Sequence, residues 1–447
     1  MTTILLVEDD KKGILSIYEI NTRVWLRELS HKYQEEIRLG NITQEEITNI
    51  KKLGFDAVWL MGVWRSSERG REIALNHKEL RGEFLNVLPD LKPEDIACSP
   101  YSIAGYEPDA SLGGLRGLIA FKKALSLSGM KLILDFVPNH VALDHPWVDK
   151  KPEYFINGTT QELQDNPGSF FSTGDRAVIA HGKDPYFPAW TDVAQLNYFN
   201  PETRQAMLQE LLKVASLCDG VRCDMAMLIL KRIQKQIWGE RVFAGNKFRG
   251  PKTAFWQDTI AEVKPFLKRI QKQTWGDKVF GSNKFSETKT EFWQDATVEV
   301  KKIYPDFFFI AEVYWGMESE LASLGFDYVY DKSFYDALKE TRVDGIRANL
   351  SDTSRLSNKH LRFIENHDEN RAAKEFGDEK AKAAALIMAL APGAHLFHQG
   401  QLEGFKIKLP VQLTRRPEEI INRNINSFYK NLLSNIRIIM QDNSRWV

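Results

Sequence analysis

The sequence predicts an α/β protein folded as a closed (β/α)8 TIM barrel. Eight short apolar, β-branched or aromatic runs recur along the chain, at 14–20, 57–63, 131–137, 220–226, 307–314, 326–331, 361–367 and 394–399. Longer helix-like segments separate them, and this alternation marks βα units around a parallel sheet. Eight such units close a barrel. The competing open, doubly wound sheet often carries a glycine-rich phosphate turn after an early strand, and the first runs here have none.

The elements follow in order. Amphipathic segments at 43–53, 115–127, 201–217 and 371–391 read as helices, the last stopped by Pro392 and Gly393, and a further helix is expected over 417–433. Two connections, 64–114 and 141–200, are too long for plain loops, and long loops are usually functional. The second carries Tyr154, Phe155, Phe170, Phe171, Tyr186, Phe187 and Trp190, enough aromatic surface for a lid-like subdomain over one barrel rim. The expected organisation is a first barrel part over 1–140, an insertion over 141–200, a second barrel part over 201–436 and a tail over 437–447. Within the second part, 230–264 repeats as 267–301 at an offset of 37, with 23 of 35 positions identical. A stacked repeat array needs at least three units, so two indicate a local duplication. One copy would supply the connection after the fourth strand, and the other would bulge outward or pack as an extra helical hairpin.

Composition narrows the function. With 43% hydrophobic and 27% charged residues over 447 positions the chain is globular, and 60 basic residues balance 60 acidic ones. No net field draws it to nucleic acid or an anionic membrane. The longest strongly apolar stretch, 383–391, is far too short to span a bilayer. The opening MTTILLVEDD lacks the basic start and long apolar core of a secretory signal, so a cytoplasmic location is expected. ILLVEDD also resembles the first strand of a response-regulator receiver domain, but the likeness stops at Lys11. Cys98, Cys218 and Cys223 are odd in number and lack zinc spacing, so they read as buried thiols.

Four runs end in ionisable residues: DFVPNH (135–140), GVRCDMA (220–226), IAEVYW (310–315) and FIENHDENR (363–371). In a barrel the C-terminal strand ends meet at one rim, so these groups converge. A lone acid at a strand end is commonly a cap or an ion pair; four such clusters point to a site.

In their order and spacing these segments resemble the α-amylase superfamily of retaining glycoside hydrolases and transglycosylases, over about 14–433. The resemblance implies Asp224 as nucleophile, Glu312 as general acid/base and Asp368 as the carboxylate that stabilises the transition state. It implies Arg222 as the partner of Asp224, His140 and His367 as sugar-gripping histidines, and Tyr101 as a stacking residue beneath the sugar. Trp315 is either a further stacking residue or core. Retaining chemistry needs an ionised nucleophile and a protonated acid, and an arginine beside one carboxylate with burial of the other separates them. The implied substrate is an α-glucan or oligosaccharide, with hydrolysis and transglycosylation both open, and the reaction requires no cofactor. A structural calcium is implied only at Asn139, with Asp192 nearby.

Two departures matter. Met227 and Leu228 stand where starch-degrading relatives carry a lysine and a histidine, so a more apolar acceptor side is expected. The family's C-terminal β-sandwich is not evident after the last helix, so exposed barrel surface and self-association are expected; the oligomeric state is open. The alternatives are a glucanotransferase or α-glucoside-specific enzyme, or a catalytically impaired carbohydrate-binding barrel, against which last the complete set of acids argues.

Overall fold

The computed structural model describes residues 15–174, 176–247, 290–351 and 356–441, with side chains throughout except at 244–247 and 437–441. Eight parallel strands close into a barrel: β1 (Ser16–Asn21), β2 (Ala57–Met61), β3 (Lys131–Phe136), β4 (Gly220–Cys223), β5 (Phe308–Ala311), β6 (Tyr328–Tyr330), β7 (His360–Arg362) and β8 (Ala394–His398). Each pairs with its neighbours in sequence, and β1 closes on β8 through Ser16 opposite His395. Every run foreseen from the sequence overlaps one of these strands, β1 reaching one residue past its run at Asn21 and β7 starting one residue before its run at His360. Helices cover the outside and side chains fill the inside, so β2, β4, β5 and β8 are buried along their whole length. Burial on both faces is why these strands read as continuous apolar runs and not as alternating ones.

The outer layer includes Gln44–Lys52, Gly114–Leu127 and Pro201–Leu217, close to the expected spans. The helix expected over 371–391 is two, Ala372–Glu375 and Asp378–Leu390, because Gly377 takes a left-handed φ of 75° between them. The helix expected over 417–433 instead runs Arg423–Gln441. Asn422 sets that start, its Oδ1 accepting from the backbone N–H of Asn424 at 3.1 Å and of Ile425 at 3.2 Å. An asparagine at this position supplies the missing acceptor for the first-turn donors, which Pro417 does not. No helix among the described residues is long and apolar enough to cross a membrane. Cys98, Cys218 and Cys223 are free and buried.

The connection after β2 forms a small antiparallel ribbon, Trp64–Ser66 with Ile103–Pro108. The one after β3 forms a five-stranded sheet in which His140–Ala142 pairs with Trp190–Gln195, and that strand with Val178–Gly182. Its first strand begins four residues beyond β3, which ties the sheet to the C-terminal barrel rim.

Most of the duplication, 248–289, and the opening ILLVEDD lie outside the described residues. The described parts of the duplication belong to different copies: Lys231–Trp238 comes from the first and Phe292–Ile303 from the second. Together they form the β4–β5 connection. Gln234 from the first copy is fully buried, accepting from Tyr198 N at 2.9 Å and donating to Leu196 O at 2.9 Å. Trp293 from the second copy donates its indole N–H to Ala226 O at 2.8 Å. These two halves add up to one unit, which predicts a clean excision. Deleting 248–284 joins Lys247 to Phe285 and regenerates an unduplicated sequence. The expected product folds cooperatively, within about 2 kcal/mol of the parent, since loop length changes closure entropy slowly. Thermal unfolding followed by circular dichroism checks this, and failure to fold would show that the second unit is structural.

Candidate active site

The pleat and the register bring the acids together. On β4, residues two apart share a face, so Arg222 and Asp224 both face the barrel axis while Val221 and Cys223 face the helices. Cys223 is paired with Ala311 on β5, so the next residues, Asp224 and Glu312, leave adjacent strands side by side. Arg222 binds both: Nη1 donates to Asp224 Oδ1 at 2.7 Å, and Nη2 lies 2.8 Å from Glu312 Oε2 as an ion pair without hydrogen-bond alignment. The guanidinium is 1% exposed and sits over the rings of Trp59, Tyr101 and Tyr330 at 5.3, 5.1 and 5.8 Å. A weakly hydrated planar cation suits such an aromatic cage.

Glu312 accepts a hydrogen bond from the Met225 backbone N–H at 2.6 Å and another from Tyr314 Oη at 2.9 Å. Met225 aims its N–H there from a left-handed φ of 39°, a conformation that non-glycine residues adopt chiefly where surroundings impose it. Burial pushes the Glu312 carboxyl up to about 7, against the pull of Arg222 and with help from the charges of Asp224 and Asp368. It therefore holds a proton near neutrality.

Asp368 stands at the mouth, its side chain 47% exposed, 3.0 Å from His367 Nε2. Burial of the surrounding site works to raise its pKa, but the charges of His367, Arg222 and Lys408 hold it far below the ordinary carboxylate range. His367 Nε2 also lies 2.7 Å from Tyr101 Oη, and the two rings are 5.5 Å apart. His140 opens the insertion sheet, buried against Trp190 at 5.3 Å. Burial lowers its pKa, opposed by Asp224 and Asp192, so this imidazole is neutral.

Arg222, Asp224, Glu312, Tyr101, His367 and Asp368 thus form one connected cluster, with His140 facing Asp224 from the insertion. Trp315 is not core. It is 40% exposed, at a left-handed φ of 64°, edge-on to Tyr186 of the insertion at 5.1 Å. Tyr186 is held out by an Asx turn in which Asp184 Oδ1 accepts from the Tyr186 and Phe187 backbone N–H groups at 2.6 and 2.9 Å. The apolar acceptor side expected from Met227 and Leu228 is corrected here. Both side chains are fully buried in the core, because the turn Ala226–Ile229 folds inward beneath Trp293.

Asn139 does not fit a calcium site. Its Oδ1 accepts from Gln195 Nε2 at 2.8 Å and its Nδ2 donates back to Gln195 Oε1 at 3.3 Å, so the two amides occupy each other. Asp192 faces His140 instead. Among the described residues no group of three or more His, Cys, Asp or Glu side chains is arranged to hold a metal.

Four participants escape the sequence reading. Asp135 is buried on β3, accepting from the Trp59 indole N–H at 3.2 Å and lying 4.0 Å from Arg222 Nη1; its position at the head of DFVPNH was the available signal. Tyr314 and Tyr330 touch Glu312 and Arg222, and Glu19 on β1 touches His367. Nothing in local spacing marks these three.

Comparison with known proteins agrees with this geometry. The alpha amylase catalytic-domain family matches residues 39–445. The chain is 23% identical over 396 residues to the α-amylase MalA of Haloarcula japonica, covering 86% of this chain and 43% of that protein. It therefore spans less than half the length of that curated relative. Among solved structures, an α-amylase from Lactobacillus plantarum superposes with a TM-score of 0.58 at 19% identity, covering 95% of this chain and 80% of that one. A cyclic α-maltosyl-(1→6)-maltose hydrolase from Arthrobacter globiformis gives 0.58 at 15% identity, covering 94% and 82%. Barrel, strand-end acids and a match over most of the chain lead to one conclusion: this chain belongs to the α-amylase catalytic-domain family of glycoside hydrolases.

Proposed function

We propose that the protein cleaves or transfers α-glucosidic bonds in α-glucans and maltooligosaccharides by a retaining, double-displacement mechanism. The observation that carries this reading is the unequal treatment of two neighbouring carboxyl groups by one cation. Arg222 makes an aligned hydrogen bond to Asp224 and only an ion pair to Glu312, whose carboxyl is pushed up to about 7. Such a division suits a nucleophile and a general acid.

In the first step an Asp224 oxygen attacks the anomeric carbon, the glycosidic C–O bond breaks, and Glu312 gives its proton to the departing oxygen. In the second, Glu312 takes a proton from water or a sugar hydroxyl, whose oxygen displaces Asp224. Asp368, held ionised, faces the positive charge that develops at the anomeric carbon. His140 and His367 offer polar contacts to sugar hydroxyls, and Tyr101, Trp315 and Tyr186 offer aromatic faces to glucose rings.

Incubating the purified protein with maltoheptaose beside an Asp224→Asn control tests the reading. Shorter products alone mean hydrolysis, longer products mean transfer, and an unchanged substrate refutes the glucan assignment. The pH profile follows from Glu312. It is an acid that must be protonated, with a pKa near 7, so kcat/KM is expected to fall as pH rises through about 7. An alkaline midpoint above 8.5, measured with an aryl maltooligosaccharide, would assign the proton to another group.

We further propose that catalysis and stability are independent of calcium, because Asn139 Oδ1, the oxygen implied as a calcium ligand, already accepts from Gln195 Nε2. A chelator is expected to leave both Tm and rate unchanged, and a fall in either that added calcium restores would overturn this.

A further inference from the structure

Glu19 sits inside the apolar run SIYEIN of β1, opposite Trp59 on β2 and His398 on β8. It is 0% exposed. A buried carboxylate is costly unless paired, yet among the described residues only its Oε1 has a hydrogen-bond partner, His367 Nδ1 at 2.5 Å, while Oε2 is buried without one. On the far side of the same ring, Nε2 lies 3.0 Å from Asp368 Oδ2 and 2.7 Å from Tyr101 Oη. One imidazole therefore stands between two carboxylates.

Donor counting decides its state. An ionised carboxylate only accepts, and a neutral imidazole has one N–H where the imidazolium has two. Tyr101 Oη can donate to a neutral Nε2, but that ring would turn its bare lone pair toward Asp368 Oδ2 3.0 Å away, so the imidazolium is the form that suits both carboxylates. Moving the proton onto Glu19 would leave a neutral ring beside Asp368, and the Asp368 charge holds the proton on the ring.

We propose that Glu19 is a positioning residue of the reaction, the buried counter-ion that keeps His367 doubly protonated so that its Nε2–H stays directed at Asp368 and the bound sugar. The groups facing His367 are Glu19 from β1, Asp135 from β3, Tyr101 from the β2 connection and Asp368 beside it. Arg371, His398 and Arg416 line a cavity with it; the two guanidinium charges oppose the added one, while burial lowers the His398 pKa. The balance favours protonation: burial alone would lower the His367 pKa, but Asp368 and Glu19 push it up to about 10. The consequence is a sugar-directed donor that survives across the working pH range. It also gives Asp368, by its positive charge, a reason to stay ionised.

The role in turnover rests on the glucan-active reading above, whereas the charge state of the ring does not, and the test separates them. Nitrogen-15 NMR of the full chain labelled at histidine, with His367→Asn identifying the resonance, is expected to show both ring nitrogens protonated at pH 8. In Glu19→Gln the ring pKa should fall, so that a smaller share of the ring is doubly protonated at that pH than in the wild type. The KM of Glu19→Gln for maltoheptaose should then rise about tenfold between pH 6 and 8, the scale of one lost charged hydrogen bond, while the KM of the wild type stays flat. A wild-type ring without a proton on Nδ1 at pH 8 would overturn the proposal, as would a wild-type KM profile in Glu19→Gln. If that variant does not fold, the wild-type spectrum still decides. A wild-type protein that shows the imidazolium but turns over no α-glucan would remove the substrate reading and leave the Glu19–His367 pair standing.

Discussion

Asp224→Asn is expected to slow the first, bond-breaking step by on the order of 10³ or more on every substrate, while Glu312→Gln slows that step by a comparable factor only where the leaving group needs a proton. The asymmetry follows from the two roles. Asparagine at 224 keeps an oxygen for Arg222 Nη1, which now donates at 2.7 Å, so the cluster and fold survive, but the amide forms no glycosyl ester. Glutamine at 312 keeps an oxygen to accept from Met225 N, and its NH2 can donate to Tyr314 Oη, which turns from donor to acceptor, but it has no acidic proton to give. Glucosyl fluoride departs as fluoride without protonation, so Glu312→Gln should release fluoride in a first turnover close to the wild-type rate and then stall, since no base activates the acceptor. Asp224→Asn should show no such burst. Equal first-turnover losses on maltoheptaose and glucosyl fluoride in both variants would refute the separate assignments, and wild-type activity in either would refute the site.

The barrel strands are legible because burial on two faces leaves unbroken apolar runs, yet every run extends beyond its strand. The strands end at Cys223, Ala311 and Arg362, and Asp224, Glu312 and His367 all lie past those ends, where the backbone leaves the sheet and polar side chains gather. Strand-end acids therefore announce the site from sequence alone. Glu19 does not, because one acid inside an apolar strand has no local signature and its partner is 348 residues away. Tyr314 and Tyr330 likewise matter only through contacts across strands. Met227 and Leu228 mislead for the opposite reason: the family resemblance implies a substrate-facing place for them, but counting residues from Asp224 does not reveal an inward turn. The helix break at Gly377 turns on a single backbone angle, which the amphipathic pattern running through it conceals.

Arg222→Met should be the most destabilising single change in the site. The guanidinium is 1% exposed and is the cation shared by Asp224 and Glu312. Methionine fills much of its volume and keeps contact with Trp59 and Tyr101, but leaves two buried carboxylates facing each other. Removing one partner from a buried ion pair costs about 3–5 kcal/mol, and part of that loss should be reversible by acid. Without Arg222, whose charge now opposes the burial that raises the Glu312 carboxyl, that group's folded-state pKa climbs further above its unfolded one, so the folded state binds more protons and stability falls more steeply as pH rises. The variant should therefore lie closest to the wild type near pH 5 and furthest from it near pH 8, with turnover lost at both. Arg222→Lys should recover part of the stability and little of the turnover, because an ammonium is a single point charge that cannot hold two carboxylates in fork geometry. Calorimetry at the two pH values decides the matter: a Met variant within about 1 kcal/mol of the wild type at pH 8, or equally destabilised at both, would show that the two acids are held apart by something other than Arg222.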